Sequence, residues 1–107
     1  MMIACDKELQ KLCSEIPMDL INVHSLRDYY DSYAASDMKQ KISSLDAVKK
    51  LRSPMMKVEH GWIPDFSSRY FKTDFPHGIH VIIEIADIFN IETPTKDTIW
   101  SCMFLQF

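Results

Sequence analysis

Arg69 and Asp74 are the residues of this sequence whose types and spacing best suit chemistry. They stand just ahead of a strongly apolar run in which Ile79, Ile82, Ile83, Ala86 and Phe89 recur at helical spacing. Pro76 falls where a first helical turn tolerates it, so the pattern predicts a helix over about 75–90 with Asp74 at its start. The Asp74 carboxylate would then accept the free N–H groups of that turn, and the positive end of the helix dipole would keep it ionised. The turn is expected to bring Arg69 to the same helix mouth, where a guanidinium fork beside a carboxylate suits an anionic group. Spacing alone also fits a plain helix cap with a surface arginine nearby.

Other reactive side chains form weaker patterns. His24 has no Cys, His or carboxylate at ligand spacing and reads as a loop histidine. His60 lies in His60-Gly61-Trp62-Ile63-Pro64 and carries no assigned role. His77 and His80 fall in the first turns of the predicted helix, an awkward place for positive charge, so both are expected to be neutral. They are three residues apart without a third ligand, so no metal site is assigned. Cys5, Cys13 and Cys102 are odd in number and contain no CxxC pair, which argues against a disulfide framework and for a reduced, cytoplasmic setting.

The elements that must position Arg69 and Asp74 read as helices. Asp6 to Ile16 carries Leu9, Leu12, Cys13 and Ile16 on one stripe and ends at Pro17. Ser25-Leu26-Arg27-Asp28 resembles a capping box and opens a helix to about Tyr33, with Leu26, Tyr29, Tyr30 and Tyr33 as an aromatic face suited to core or interface packing. A short helix is expected around Met38 to Ile42. Another is expected after Ser44, whose basic residues Lys49, Lys50 and Arg52 complement the dipole before Pro54 stops it. Met55 to Ser68 reads as a long connection whose Trp62, Ile63 and Phe66 must lie against something apolar. The helix after Asp74 should be buried on most sides, with Asn90 ending it. Thr95 is expected to cap a last helix whose stripe is Ile99, Trp100, Met103 and Phe104.

At 107 residues the chain is expected to form one domain, 1–107, that buries roughly two-thirds of its unfolded surface. Its 47% hydrophobic and 25% charged content is that of an ordinary soluble globular chain. Two glycines favour helices over a turn-rich β fold, and a net charge of −3 argues against a nucleic-acid surface. No apolar run is long enough to span a bilayer, and none resembles a signal peptide.

Arg69-Tyr70-Phe71-x-x-Asp74-x-Pro76-x-Gly78, followed by Ile91-x-Thr93-Pro94-Thr95-x-Asp97-x-Ile99, resembles the helical domain of the octopine/nopaline (opine) dehydrogenase family. The match is specific over about 67–100 and looser before it. One departure is Thr73, where relatives usually carry an acid. The resemblance implies an all-α fold, a small bundle of about four or five helices like the 6-phosphogluconate dehydrogenase C-terminal-like domain. It implies reductive joining of an amino acid and a 2-oxo acid with hydride from NAD(P)H. In that scheme Arg69 would hold a substrate carboxylate and Asp74 would pair with a catalytic histidine, which in the family lies well before this point.

No GxGxxG exists here and no strand–helix alternation, so NAD(P) would be bound by a nucleotide-binding domain or partner chain and not by this one. An expressed fragment, a split gene product and a degenerate remnant all fit this composition. The isolated chain is accordingly expected to be inactive alone. A second reading is a non-catalytic helical interaction or dimerisation module. It draws on Tyr29, Tyr30, Tyr33, Trp62 and the apolar Trp100, Met103, Phe104 and Phe107, which also predict self-association.

Overall fold

The computed structural model describes residues 1–104. Its first helix, α1 (Met2–Glu15), begins a turn earlier than the stripe predicts and buries Leu12. Pro17 forbids helical backbone at Ile16, which is extended at φ −74° and ψ 127°. The next helix, α2 (Leu26–Tyr29), starts at Ser25 as expected. The Ser25 hydroxyl accepts from the Asp28 N–H and donates to the Asp28 carboxylate. It stops well short of Tyr33, because Asp31 takes a left-handed φ of 47°. Tyr29 and Tyr33 are exposed, so this aromatic face is not core.

The weakly patterned stretch forms α3 (Ala35–Ser44), anchored by the buried Met38, and a single turn, α4 (Asp46–Lys49), follows. Ser44 does not cap α4. It is the last residue of α3, and its hydroxyl donates back to the Lys41 carbonyl. The segment expected as a long connection is a two-stranded antiparallel hairpin, β1 (Met55–Val58) and β2 (Gly61–Pro64), with Met56 opposite Ile63 and Lys57 opposite Trp62. Gly61 supplies the φ of 149° that the turn requires. Every strand residue is exposed.

The helix expected to begin after Asp74 begins earlier. Ser68 is extended, Lys72 N–H reaches the Ser68 carbonyl, and α5 (Arg69–Asp74) runs into a π-helical turn at Phe75–Ile79 and on into α6 (His80–Ile88). Asp74 is therefore in mid-helix, with φ −72° and ψ −28°, and its side chain caps nothing. The physical reason is Pro76. It has no N–H to give the Lys72 carbonyl, and its ring crowds that carbonyl, so an α-helix would break there. The chain widens by one residue instead, and the His80 N–H bonds to the Phe75 carbonyl. His77 and His80 consequently do not lie in a first turn, and the dipole argument for their neutrality does not apply.

Helix α6 ends in a complete Schellman motif. Asn90 takes φ 55°, its N–H bonds to Asp87, and the Ile91 N–H bonds to Ala86. The motif brings Ile91 onto Ala86, and these two with Leu12 make the core, flanked by Ile16, Ile82 and Ile85. The last helix, α7 (Pro94–Phe104), packs on α1 and α6. Pro94 occupies its first position, so Thr93 and not Thr95 is the residue at its cap.

That core is small. A 12.5 kDa monomer ordinarily exposes about 6,200 Å², whereas this chain exposes 8291 Å². The fraction buried is a little over half, below the two-thirds expected from length. The radius of gyration, 15.8 Å, exceeds the roughly 13 Å of a compact chain this long. Helix α6 shows the reason. It was expected to be buried on most sides, but only Ala86 is fully covered, and Ile88 is 75% exposed. No described element lies against its outer face. Taken as one rod, residues 69–88 bring the helices among the described residues to six beside one hairpin, a mostly helical fold as expected.

Candidate functional site

The rod that carries Arg69 and Asp74 is launched by a tight turn. Asp65 accepts from the Ser67 N–H and hydroxyl, its carbonyl accepts from Ser68, and its own N–H bonds to Pro54, closing the base of the hairpin. Phe66 then packs on Phe71 at 4.8 Å between ring centroids, and Phe71 on Phe75 at 5.4 Å. These aromatic contacts fix which side of α5 faces inward.

Helical geometry sets the rest. Residues five apart lie about 140° from one another around the axis. Arg69 and Asp74 thus bound an outward sector that holds Tyr70 and Thr73 between them, and all four side chains are exposed. The two do not meet at a helix mouth, since no helix begins at Phe75. Among the described residues neither the guanidinium nor the carboxylate has a hydrogen bond or ion pair. Both are free to contact something brought against this face. The π-helical turn follows directly, and such turns are frequent at functional sites.

His77 follows Asp74 by three residues in the π-helical turn and is exposed, whereas His60 and His80 have other neighbours. His60 is exposed at the hairpin tip, 3.9 Å from Glu59. His80 stacks on Trp100 of α7 at 4.4 Å and lies 3.9 Å from Glu84. No hydrogen bond or ion pair joins either of these two to the Asp74 carboxylate, and no group of three or more metal-ligating side chains gathers among the described residues.

A second polar constellation, which sequence reasoning missed, holds the helices in place. Glu8 of α1 reaches the start of α7, where its carboxylate accepts from the N–H groups of Thr95 at 2.6 Å and Lys96 at 3.1 Å. The buried Lys96 ammonium sits 3.6 Å from Glu8 and donates to the Cys5 carbonyl. Burial alone would raise the Glu8 pKa. The hydrogen bonds from Thr95 and Lys96, with the Lys96 charge, outweigh it and hold the carboxyl below the ordinary glutamate value. With those amides engaged, the Thr93 hydroxyl turns to Asp97 instead. Asp6, also buried, accepts from the first N–H of α2. Helix α1 therefore caps two other helices with its own carboxylates, and no local motif announces it.

Known proteins share this fold. A model of the alpha-helical domain of NAD/NADP octopine/nopaline dehydrogenases matches residues 1–103. The chain is 35% identical over 89 residues to the tauropine dehydrogenase of Arabella iricolor, covering 77% of this chain and 22% of that protein. It is 27% identical over 108 residues to the octopine dehydrogenase of Pecten maximus, covering 91% and 27%. An octopine dehydrogenase solved with NADH and L-arginine superposes with a TM-score of 0.82 at 24% identity, over 98% of this chain and 29% of that one. One solved with NADH and pyruvate gives 0.78 at 25% identity, over 95% and 26%. The chain thus spans about a quarter of the length of these relatives. With the family model matching nearly the whole sequence and the same helical arrangement in both solved structures, the chain belongs to the NAD/NADP octopine/nopaline dehydrogenase family, in its alpha-helical domain.

Proposed function

We propose that this chain is the substrate-side helical domain of an opine dehydrogenase-type oxidoreductase, which joins an amino acid to a 2-oxo acid using NAD(P)H. Arg69 holds a substrate carboxylate through its guanidinium fork. Asp74 is the acidic partner that orients a histidine from outside this chain and stabilises its imidazolium during proton transfer. The observation that carries this reading is the exposure of both side chains, uncommitted, along one sector of α5 in a chain of this family.

The residues here do not suit a dinucleotide. The two glycines, Gly61 and Gly78, lie in a hairpin turn and a π-helical turn, and the described strands form no parallel crossover unit. The cofactor therefore belongs to a nucleotide-binding domain or partner chain, and the 107 residues alone are inactive.

The test joins this chain to a nucleotide-binding half that supplies the histidine. Because Asp74 caps nothing, Asp74→Asn should leave stability within about 0.5 kcal/mol of the parent and still lower kcat by about 10²–10⁴-fold. Arg69→Lys should raise KM for the carboxylate substrate about tenfold, since an ammonium cannot reproduce the fork. A fully active Asp74→Asn hybrid would refute the role given to this carboxylate.

The second reading, a non-catalytic interaction module, rests on part of the surface expected, around Trp62, Tyr29 and Tyr33, and not on the last helix. Trp100 stacks on His80 and Met103 is buried, so neither offers a free apolar surface. Phe107 lies outside the described residues, as does the Phe104 side chain. The hairpin adds Met55, Met56 and Ile63 to the exposed apolar surface beside Trp62. Concentration-dependent sedimentation that Trp62→Ala abolishes would favour this reading.

A further inference from the structure

A cleft of about 360 Å³ lies between α1 and the α2 segment, lined by Asp6, Lys7 and Gln10 on one side and by Ser25, Arg27 and Asp28 on the other, with Tyr33 at its edge. Its acceptors are engaged. Asp6 takes the Leu26 N–H at 2.9 Å. Asp28 takes the Tyr33 hydroxyl on one oxygen at 3.1 Å and the Ser25 hydroxyl on the other at 2.9 Å. That bond to Asp28 raises the Tyr33 pKa, so the phenol stays protonated and keeps the carboxylate oxygen occupied. The Gln10 amide donates out of the cleft to the Val23 carbonyl at 3.2 Å.

The donors are not engaged. The Arg27 guanidinium lies 5.2 Å from the centre of the Tyr33 ring, a cation–π contact that fixes its plane without using its N–H groups. Its Nε is buried and has no hydrogen-bond partner. Asp28, next to it in sequence, lines the same cleft, but no ion pair joins the two. Among the described residues, neither Arg27 nor Lys7 forms an ion pair. A buried N–H without an acceptor is rare and costly. Here the side chain that carries it lines a cleft whose own carboxylates already have hydrogen-bond partners.

We propose that this cleft binds a small oxyanion, a carboxylate or phosphate group gripped by the Arg27 fork with Lys7 as the second cation. The volume is at the small end of ligand sites and suits a compact anion, not a nucleotide. The Leu26 and Asp28 amides at the start of α2 take no part, since Asp6 and Ser25 occupy them. The site is independent of Arg69 and Asp74, and stands whether or not the catalytic reading does.

The test uses the ¹⁵N-labelled 107-residue chain, titrated separately with sodium acetate and inorganic phosphate, against sodium chloride at the same ionic strength. The Arg27 Nε–H resonance should shift saturably with an oxyanion and not with chloride. Saturation by acetate alone assigns a carboxylate site, and saturation by phosphate alone assigns a phosphate site. Arg27→Lys keeps the charge but loses the fork and should weaken binding about tenfold or more. Lys7→Gln, at an exposed position that folding does not need, should weaken it to a smaller degree. A shift that is linear in salt and equal for chloride would overturn the proposal. Undiminished affinity in either variant would do the same.

Discussion

The α1–α6–α7 packing and the 55–64 hairpin contain similarly apolar sequence, and they dispose of it in opposite ways. Around Leu12, Ala86 and Ile91 the side chains are covered, and the polar groups drawn in with them (Glu8, Thr93 and Lys96) are paired, Glu8 and Lys96 with each other across helices. In the hairpin the backbone pairs only with itself, while Met56 and Ile63 on one face and Met55 and Trp62 on the other stay exposed, Trp62 at 63%. A lone two-stranded hairpin is marginal in water, and apolar residues on both of its faces raise the cost. Stability in this chain is therefore concentrated in one region and exposed apolar surface in another.

The largest effect should come from breaking the tie between helices. Glu8→Ala leaves the buried Lys96 charge unpaired and two helix N–H groups without an acceptor, at a cost of about 3–5 kcal/mol. Chemical denaturation measures it directly. The same residue sets a pH dependence. Its folded pKa is lowered, so its stabilisation is complete above the ordinary value near 4.5 and is lost as pH falls through the folded value. Glu8→Ala should flatten the acid limb of the stability curve, and an unchanged limb would mean that this carboxylate is not the linked group.

Leu12→Ala tests the apolar part of the same region and should cost about 2–5 kcal/mol, read as a drop in denaturation midpoint without a change in slope. The Schellman turn should show a smaller, signed effect. Asn90→Gly should be neutral or slightly stabilising, whereas Asn90→Ala should cost about 1 kcal/mol, because only the latter strains a left-handed backbone. The smallest effect belongs to the hairpin. Trp62→Ala should change stability by no more than about 0.5 kcal/mol. A cost near that of Leu12→Ala would erase the contrast and place the hairpin in a core.

Much of the local structure was legible because its causes lie within a few residues. Ser25 and Asp28 make their own capping box, Pro17 stops α1, and Asn90 ends α6 by its tolerance of positive φ. The motif around Arg69 and Asp74 was equally plain as a resemblance. Its geometry was not, since Pro76 reads as a helix start by every local rule and the π-helical turn that absorbs it occurs where flanking turns are already held by Phe66, Phe71 and Phe75.

What the amino-acid sequence determined by itself was therefore the helical class, the start at Ser25, the stops at Pro17 and Asn90, and the family pattern. Tertiary structure decided which end of each helix meets which side chain. Glu8 finds the amides of Thr95 and Lys96 across 87 and 88 residues of chain, and only the packing of α1 against α7 brings them within 3.1 Å. A hydrogen bond is directional and short, so nothing in the composition of either helix encodes that meeting. The same holds for burial. Hydrophobic periodicity in α6 marked which residues prefer to be covered, but the area removed from water depends on what lies opposite, and for Ile88 and Trp62 nothing described in this chain does.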